Sequence, residues 1–172
     1  MGVHLYTNGS WTDSGKIYRN SLNLFNLSNP NVFYGFVNES GNFRSFPNNA
    51  LVVLNLPNGI YTISGFKKYP PDSVVRIVTS NVTPAFDVPV ATNVLRPQNT
   101  TYTITINDDN YLSIMVCGDS DYNYYNNVQT AISANCENLM INAGSTALPY
   151  EPYNVVDWYT NNGHGYSSGA WD

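Results

Sequence analysis

The sequence predicts an all-β fold: an antiparallel two-sheet β-sandwich, jelly-roll-like, with short terminal hairpin extensions. Three observations carry this. Apolar residues alternate with a period of two through a series of short runs, as half-buried strands do. Asn, Gly and Pro stand between the runs, and these residues favour turns and form helices poorly. Charged residues make up only 11% of the 172, well below the usual quarter, and small polar residues take their place. Strands recurring roughly every 8 to 20 residues between such turns indicate a sandwich or jelly roll.

The elements follow in order. Near the start, Val3-His4-Leu5-Tyr6-Thr7 alternates, Asn8-Gly9 intervenes and Ser10-Trp11-Thr12 follows. Asn-Gly between two such runs predicts a hairpin, because a type I′ turn needs φ > 0 at both central positions. So small a hairpin must dock on something. Residues 32–37 read as a strand with Phe33, Gly35 and Val37 on one side and Tyr34 and Phe36 on the other. Leu51-Val52-Val53-Leu54 is an apolar run of buried-strand length. Asn58-Gly59 turns into the alternating run Ile60 to Ser64. Residues 74–79 and 101–106 repeat the pattern. A polar turn, Asn107-Asp108-Asp109-Asn110, leads into 111–116, and 139–141 closes the set. Residues 127–134, with Val128, Ala131 and Ile132 at tolerable spacing, are the one expected helical exception. The predicted core holds Leu51, Val53, Ile63, Ile77, Ile104, Ile106, Ile114, Val116 and Ile141.

The chain divides into three parts: a hairpin extension over 1–20, a sandwich domain over 21–153 and an aromatic, Gly-rich extension over 154–172. The ends echo each other, YTNGSW against YTNNGHGYSSGAW. They are expected to lie side by side or to meet a neighbouring subunit; chance similarity in a chain rich in Tyr, Asn and Gly is the alternative. Trp11, Trp158 and Trp171 all fall in these extensions. Large aromatics in segments too short to fold alone are candidate assembly residues.

The stretch NLMINAGSTALPYEPY, residues 138–153, reads as a short strand, a turn and an extended Pro-aromatic run. Pro149 and Pro152 cannot donate to a central ladder, so the run must take an edge or leave the sheet. Tyr150, Pro152 and Tyr153 are expected to lay rings across the end of the sandwich. The stretch resembles the closing segment of jelly-roll, carbohydrate-binding-module-like domains in tail, baseplate and other virion proteins of bacteriophages. A looser resemblance runs back through NLFNLSNPNVFYGFV, LNLPNGIYTISGF and NDDNYLSIMV. These look like the opening strand, an inner strand after a turn and the penultimate strand of the same domains. The resemblance implies a phage structural protein and names no ligand.

Composition narrows the function classes. A net charge of −5, a pI near 4.7 and seven scattered Lys and Arg argue against a phosphate-tracking surface, so no nucleic-acid partner is expected. A polar, aromatic, weakly charged surface suits neutral ligands such as sugars, and equally a stable coat component. Met1-Gly2-Val3-His4 lacks a basic n-region and an apolar h-region. Tyr6 stands where myristoylation would need Ser or Thr. No apolar run reaches the ~20 residues of a membrane span, so no membrane partner is expected. Cys117 and Cys136 are too few for a disulfide framework and are read as buried thiols. Synthesis in the bacterial host cytoplasm and release in a virion fit these features.

Candidate chemistry is sparse. The carboxylates mostly fall in predicted turns, where Asp bonds the backbone. Glycoside hydrolysis needs two of them across a cleft, and nothing in the sequence marks such a pair. The two His, His4 and His164, lie near opposite termini. No recognisable Cys/His signature occurs. Asp119-Ser120-Asp121-Tyr122-Asn123 opens like a calcium loop, but Tyr124 takes the Gly position and Thr130 the terminal Glu position. A different calcium geometry using Asp108 or Asp109 is the alternative; no catalytic residue, metal or cofactor is expected. Residues 119–127, read as a long polar loop, crowd Tyr122, Tyr124 and Tyr125 among Asn123, Asn126 and Asn127. Aromatic faces stack on the C–H faces of sugar rings, and amides both donate to and accept from hydroxyls. Tyr122, Asn123, Tyr124 and Tyr125 are therefore the glycan-binding candidates. The alternative is that these rings cover the sheet edge or pack on another coat protein. Phe43 and Phe46 around Arg44 form a weaker aromatic group whose rings are expected to point inward.

The expected function is a non-enzymatic virion structural protein. It would decorate the capsid or tail and aid host-surface adhesion by weak, multivalent glycan binding. Its partners would be other virion proteins, further copies of itself and a host glycan. The alternative is a purely architectural subunit without a ligand, and the remote one a small glycan-active enzyme.

Overall fold

The computed structural model describes residues 22–69, 74–98, 100–108 and 110–153, and the backbone of three short strands in the flanking segments. In chain order the strands are β1 (Gly15–Tyr18), β2 (Val32–Val37), β3 (Phe43–Asn55), β4 (Gly59–Ser64), β5 (Val74–Ser80), β6 (Thr92–Pro97), β7 (Tyr102–Ile106) and β8 (Tyr111–Cys117). Two helices follow, α1 (Asp119–Tyr125) and α2 (Val128–Asn135), and then β9 (Met140–Ala143), β10 (Val156–Tyr159) and β11 (Tyr166–Ser168).

The fold is an all-β sandwich. One sheet has five strands in the order β2-β3-β8-β5-β6, and the other has three, β7-β4-β9; all pairings are antiparallel. The chain crosses between sheets at β3–β4, β4–β5, β6–β7, β7–β8 and β8–β9. Ahead of β2, Leu24 N donates to Ile141 O at 2.7 Å. The buried Asn23 side chain donates to Leu139 O (2.9 Å) and accepts from Ile141 N (3.1 Å). The opening segment thus lies along the free side of β9 and extends the smaller sheet, which makes the winding jelly-roll-like.

Period-two patterning explains which faces meet. Tyr61 and Ile63 of β4, Ile104 and Ile106 of β7, and Leu112, Ile114 and Val116 of β8 are buried in one cluster with Ile77 and Ile141. All nine predicted core residues are buried, but not all in one place. Leu51 belongs to a second cluster with Val37, Phe43 and Val78. Residues 81–91 strap over this second cluster: Phe43 N donates to Val88 O and Asp87 N to Phe43 O, both at 2.9 Å. A continuous apolar run such as 51–54 therefore marks a strand buried on both faces, as the pattern allows.

Several expectations change in detail. The strand predicted over 51–54 begins at Phe43, and β6 was not foreseen because Thr92–Pro97 is mostly exposed and lacks alternation. Residues 119–127 are not a loop: α1 spans Asp119–Tyr125. The expected helical turns near 127–134 are present as α2. Phe43 points inward, but Phe46 is 42% exposed.

The terminal segments pair with each other. β10 lies between β1 and β11, with Gly15 opposite Tyr159 and Tyr18 opposite Val156. The predicted hairpin at Val3 to Thr12, including Trp11, and Trp171 lie outside the described residues, as do His4 and His164. For Trp158, the backbone of β10 is described and its side chain is not.

Candidate functional site

The site is built where β8 ends. Gly118 caps α1 in extended conformation, and its N–H donates to Asp121 Oδ2 at 2.9 Å. Asp121 Oδ1 accepts from Asn135 Nδ2 on α2 (2.8 Å) and from Tyr69 N (3.2 Å). Lys68 Nζ stands 3.0 Å from Asp121 Oδ2, with the two side chains 8% and 1% exposed. A buried carboxylate is tolerated only with such a full set of donors. Asp121 thereby joins α1, α2 and the segment after β4. The resemblance to a calcium loop is resolved the same way: Asp121 already answers a lysine and backbone donors. Among the described residues no group of three or more His, Cys, Asp or Glu is placed to hold a metal ion.

This hub positions a cluster of rings. Tyr69 follows Lys68, and Tyr124 lies one helical turn after Asp121. Their rings stack at 3.8 Å between centroids with planes 15° apart. Tyr125 meets Tyr124 edge-on at 4.8 Å and 85°. Tyr124 is 58% exposed and Tyr69 39%, so the stack forms a ledge on the surface. Burial first, then the neighbouring Tyr124 hydroxyl and the Asp121 carboxylate, raises the pKa of the Tyr125 phenol. Of the predicted glycan-binding residues, Tyr124 and the exposed Asn123 face outward. Tyr122 and Tyr125 are partly buried and pack on the core. Tyr69 was missed. It lies more than fifty residues away in sequence, and its own N–H bond to Asp121 together with the ion pair beside it brings it to α1.

Further concavities lie elsewhere among the described residues. A groove of about 610 Å³ is lined by Phe36, Phe46, Val74, Arg76, Leu95 and Met115, with Glu39 and Asp119 among its polar groups. When the Asn49 amide is turned to face its acceptors, its nitrogen donates to Asp119 Oδ1 at 2.9 Å. At the other end of β8 a pocket of about 730 Å³ opens between the 23–31 segment, the β3–β4 turn and Tyr153. Tyr153 is exposed there, Tyr150 is exposed along a smaller neighbouring cleft that it lines with Pro152 and Tyr153, and residues 147–152 belong to no strand.

Both cysteines are buried thiols. Burial, with the Asp121 and Asp119 carboxylates adding to it and Lys68 opposing, pushes the Cys117 pKa up to about 11. Burial pushes Cys136 upward too. Neither is an activated nucleophile, which would need a lowered pKa. Among the described residues no helix is long and apolar enough to cross a membrane. No protein-family model, curated protein or solved structure matches this chain.

Proposed function

We propose that this chain is a structural protein of a bacteriophage virion. Its jelly-roll-like domain would decorate the capsid or tail and bind host-surface glycan without catalysis. The observation that carries the binding reading is the Tyr69–Tyr124 ledge, an exposed ring stack fixed from below by a buried ion pair. Rigid aromatic surface costs little entropy to present, and sugar C–H faces stack on it. The exposed amide of Asn123 can donate to and accept from hydroxyls beside it. A single shallow ledge binds weakly. Repetition over many copies raises avidity by about 10²–10⁴ without any new contact, provided the geometry lets sites engage together. The virion assignment rests on the closing segment NLMINAGSTALPYEPY and its resemblance to phage structural domains.

A specific observation favours a second reading, a purely architectural subunit. β1 and β10 pair across the termini, so the two extensions form one sheet that can serve assembly. Trp11, Trp158 and Trp171 lie in those extensions. An array of bacterial surface glycans, probed with the protein displayed in many copies on beads, separates the readings. Binding to a defined subset, lost in Tyr69→Ala/Tyr124→Ala, supports adhesion. A blank array with particles still incorporating the protein supports architecture alone.

A further inference from the structure

The 730 Å³ pocket at the far end of the sandwich has a chemistry of its own. Five asparagines line it: Asn23, Asn26, Asn29, Asn31 and Asn55. Asn23 is taken up in holding β9. Asn26 Oδ1 accepts from Ser28 N at 3.1 Å, which leaves its amide nitrogen as a donor. The side chains of Asn29, Asn31 and Asn55 are exposed and make no hydrogen bond among the described residues. Each offers two donors and an acceptor. Tyr61 Oη donates to Pro57 O at 2.7 Å and keeps its own capacity to accept. Phe25 and the exposed ring of Tyr153 supply apolar surface on the same lining. Among the described residues that line the pocket, none is charged.

We infer that this pocket is a second binding site and that its ligand is an uncharged sugar unit. The volume falls within the usual range for small-molecule sites, about 300–1,000 Å³. Free amides match hydroxyls that both donate and accept. Apolar rings match the C–H faces of a pyranose. A carboxylated or aminated sugar would bring a charge to a lining without a counter-charge, so its desolvation would go uncompensated. The site is separate from the ledge. Asn55 pairs with Tyr111 at one end of β8, while α1 begins just after Cys117 at the other. Seven strand residues separate the two ends, about 20 Å at the usual rise. One chain would then carry two glycan contacts, which extends the reading above and is tested apart from it.

The test is a nitrogen-15 NMR titration of the whole chain with the methyl glycosides of glucose, galactose and N-acetylglucosamine, and with methyl glucuronide. Side-chain NH₂ signals of Asn29, Asn31 and Asn55 report the pocket, and the Tyr69 and Tyr124 backbone signals report the ledge. The expected result is saturable movement of the asparagine signals with a neutral glycoside, in the range of about 1–10 mM. The glucuronide should need at least roughly tenfold more to give the same shift. Asn31→Ala/Asn55→Ala should abolish the remaining pocket shifts while any ledge shifts persist. Its melting temperature, unchanged within experimental scatter, shows that the fold is kept. Asparagine signals that stay still with all three neutral glycosides overturn the second site, whatever the ledge does. Equal shifts with the glucuronide overturn the assignment of an uncharged ligand. Ledge signals that stay still while the pocket responds count against the ledge alone.

Discussion

Lys68 and Asp121 form a buried ion pair at 3.0 Å, and each carries one ring of the exposed Tyr69–Tyr124 stack close beside it in sequence. The pair therefore does two jobs. It satisfies a carboxylate that the α1–α2 corner has buried, and it registers two distant segments so that their rings lie face to face. Replacing Lys68 by Met leaves Asp121 as a buried charge without its cation. The expected loss is about 3–5 kcal/mol. Urea denaturation monitored by circular dichroism measures it, and a loss below about 1 kcal/mol would place the pair in the class of surface bridges.

The three tyrosines of α1 should separate on substitution. Tyr124→Ala removes an exposed ring and its stacking, worth about 0.5–1.5 kcal/mol. Tyr122→Ala opens the packing under α1 and should cost more, although less than the about 3–5 kcal/mol of a fully buried aromatic. Melting curves for the two single variants check the order. A triple substitution of Tyr122, Tyr124 and Tyr125 would confuse binding with stability, because two of the three rings pack on the core.

Gly65 and Gly144 both sit at positive φ, +70° and +99°. A Cβ on Gly65 would stand 1.9 Å from Asn138 O, a backbone atom, whereas one on Gly144 would meet nothing within 4 Å. Gly144→Ala should therefore cost only the backbone strain, about 1–3 kcal/mol. Gly65→Ala must also displace the chain that enters β9. It should show the larger fall in denaturation midpoint, and equal falls would contradict the close approach.

Ser113 on β8 is buried, and its hydroxyl has no hydrogen-bond partner among the described residues. An unsatisfied buried hydroxyl costs about 1–3 kcal/mol. Ser113→Ala should leave stability unchanged or raise it by about 1 kcal/mol. A clear loss in the denaturation midpoint would reveal a bond to this oxygen.

Alkaline pH should weaken the fold through the thiols. Cys117 is raised from 9.0 to about 11 and Cys136 is also raised, so the folded state holds protons that the unfolded chain releases first. The stabilisation is complete below pH 9 and is lost as the pH climbs through about 11. The upward shifts of Tyr61 and Tyr125 act in the same direction. Denaturation midpoints measured from pH 7 to 10.5 should fall above pH 9, and Cys136→Ala should flatten that fall. Both thiols should resist iodoacetamide at pH 8 until the protein is unfolded.

The sequence made the sandwich legible where apolar runs meet the core. β2, β4, β5, β7 and β8 lie within a residue or so of their expected bounds, whether burial alternates, as in β7, or covers both faces, as in β5 and β8. It hid β6, whose residues are mostly exposed, and α1, whose Asp, Asn and Tyr residues are weak helix formers. The helix is held instead by a local capping bond, Asp121 receiving the Gly118 N–H, and by the Lys68 charge, a tertiary contact. The same holds at the site. Tyr124 could be picked out from local crowding of rings and amides. Tyr69 could not, because its place is set by a contact across fifty-two residues of sequence. The pocket asparagines were equally hidden: in the sequence they are turn residues, and only the closing of the 23–31 segment over Tyr61 gathers them.

As proposed above, the Tyr69–Tyr124 ledge would bind glycan weakly and gain strength by repetition. The direct measurement is a pair of binding isotherms on one array-selected glycan, for the wild type and for Tyr69→Ala/Tyr124→Ala, each as free protein and on beads. Bead display is expected to strengthen wild-type binding by about 10²–10⁴. The double variant should lose at least roughly fivefold in the free form, since a stacked ring contact is worth about 1 kcal/mol or more. Superimposable isotherms for wild type and variant, with both proteins folded, would contradict it.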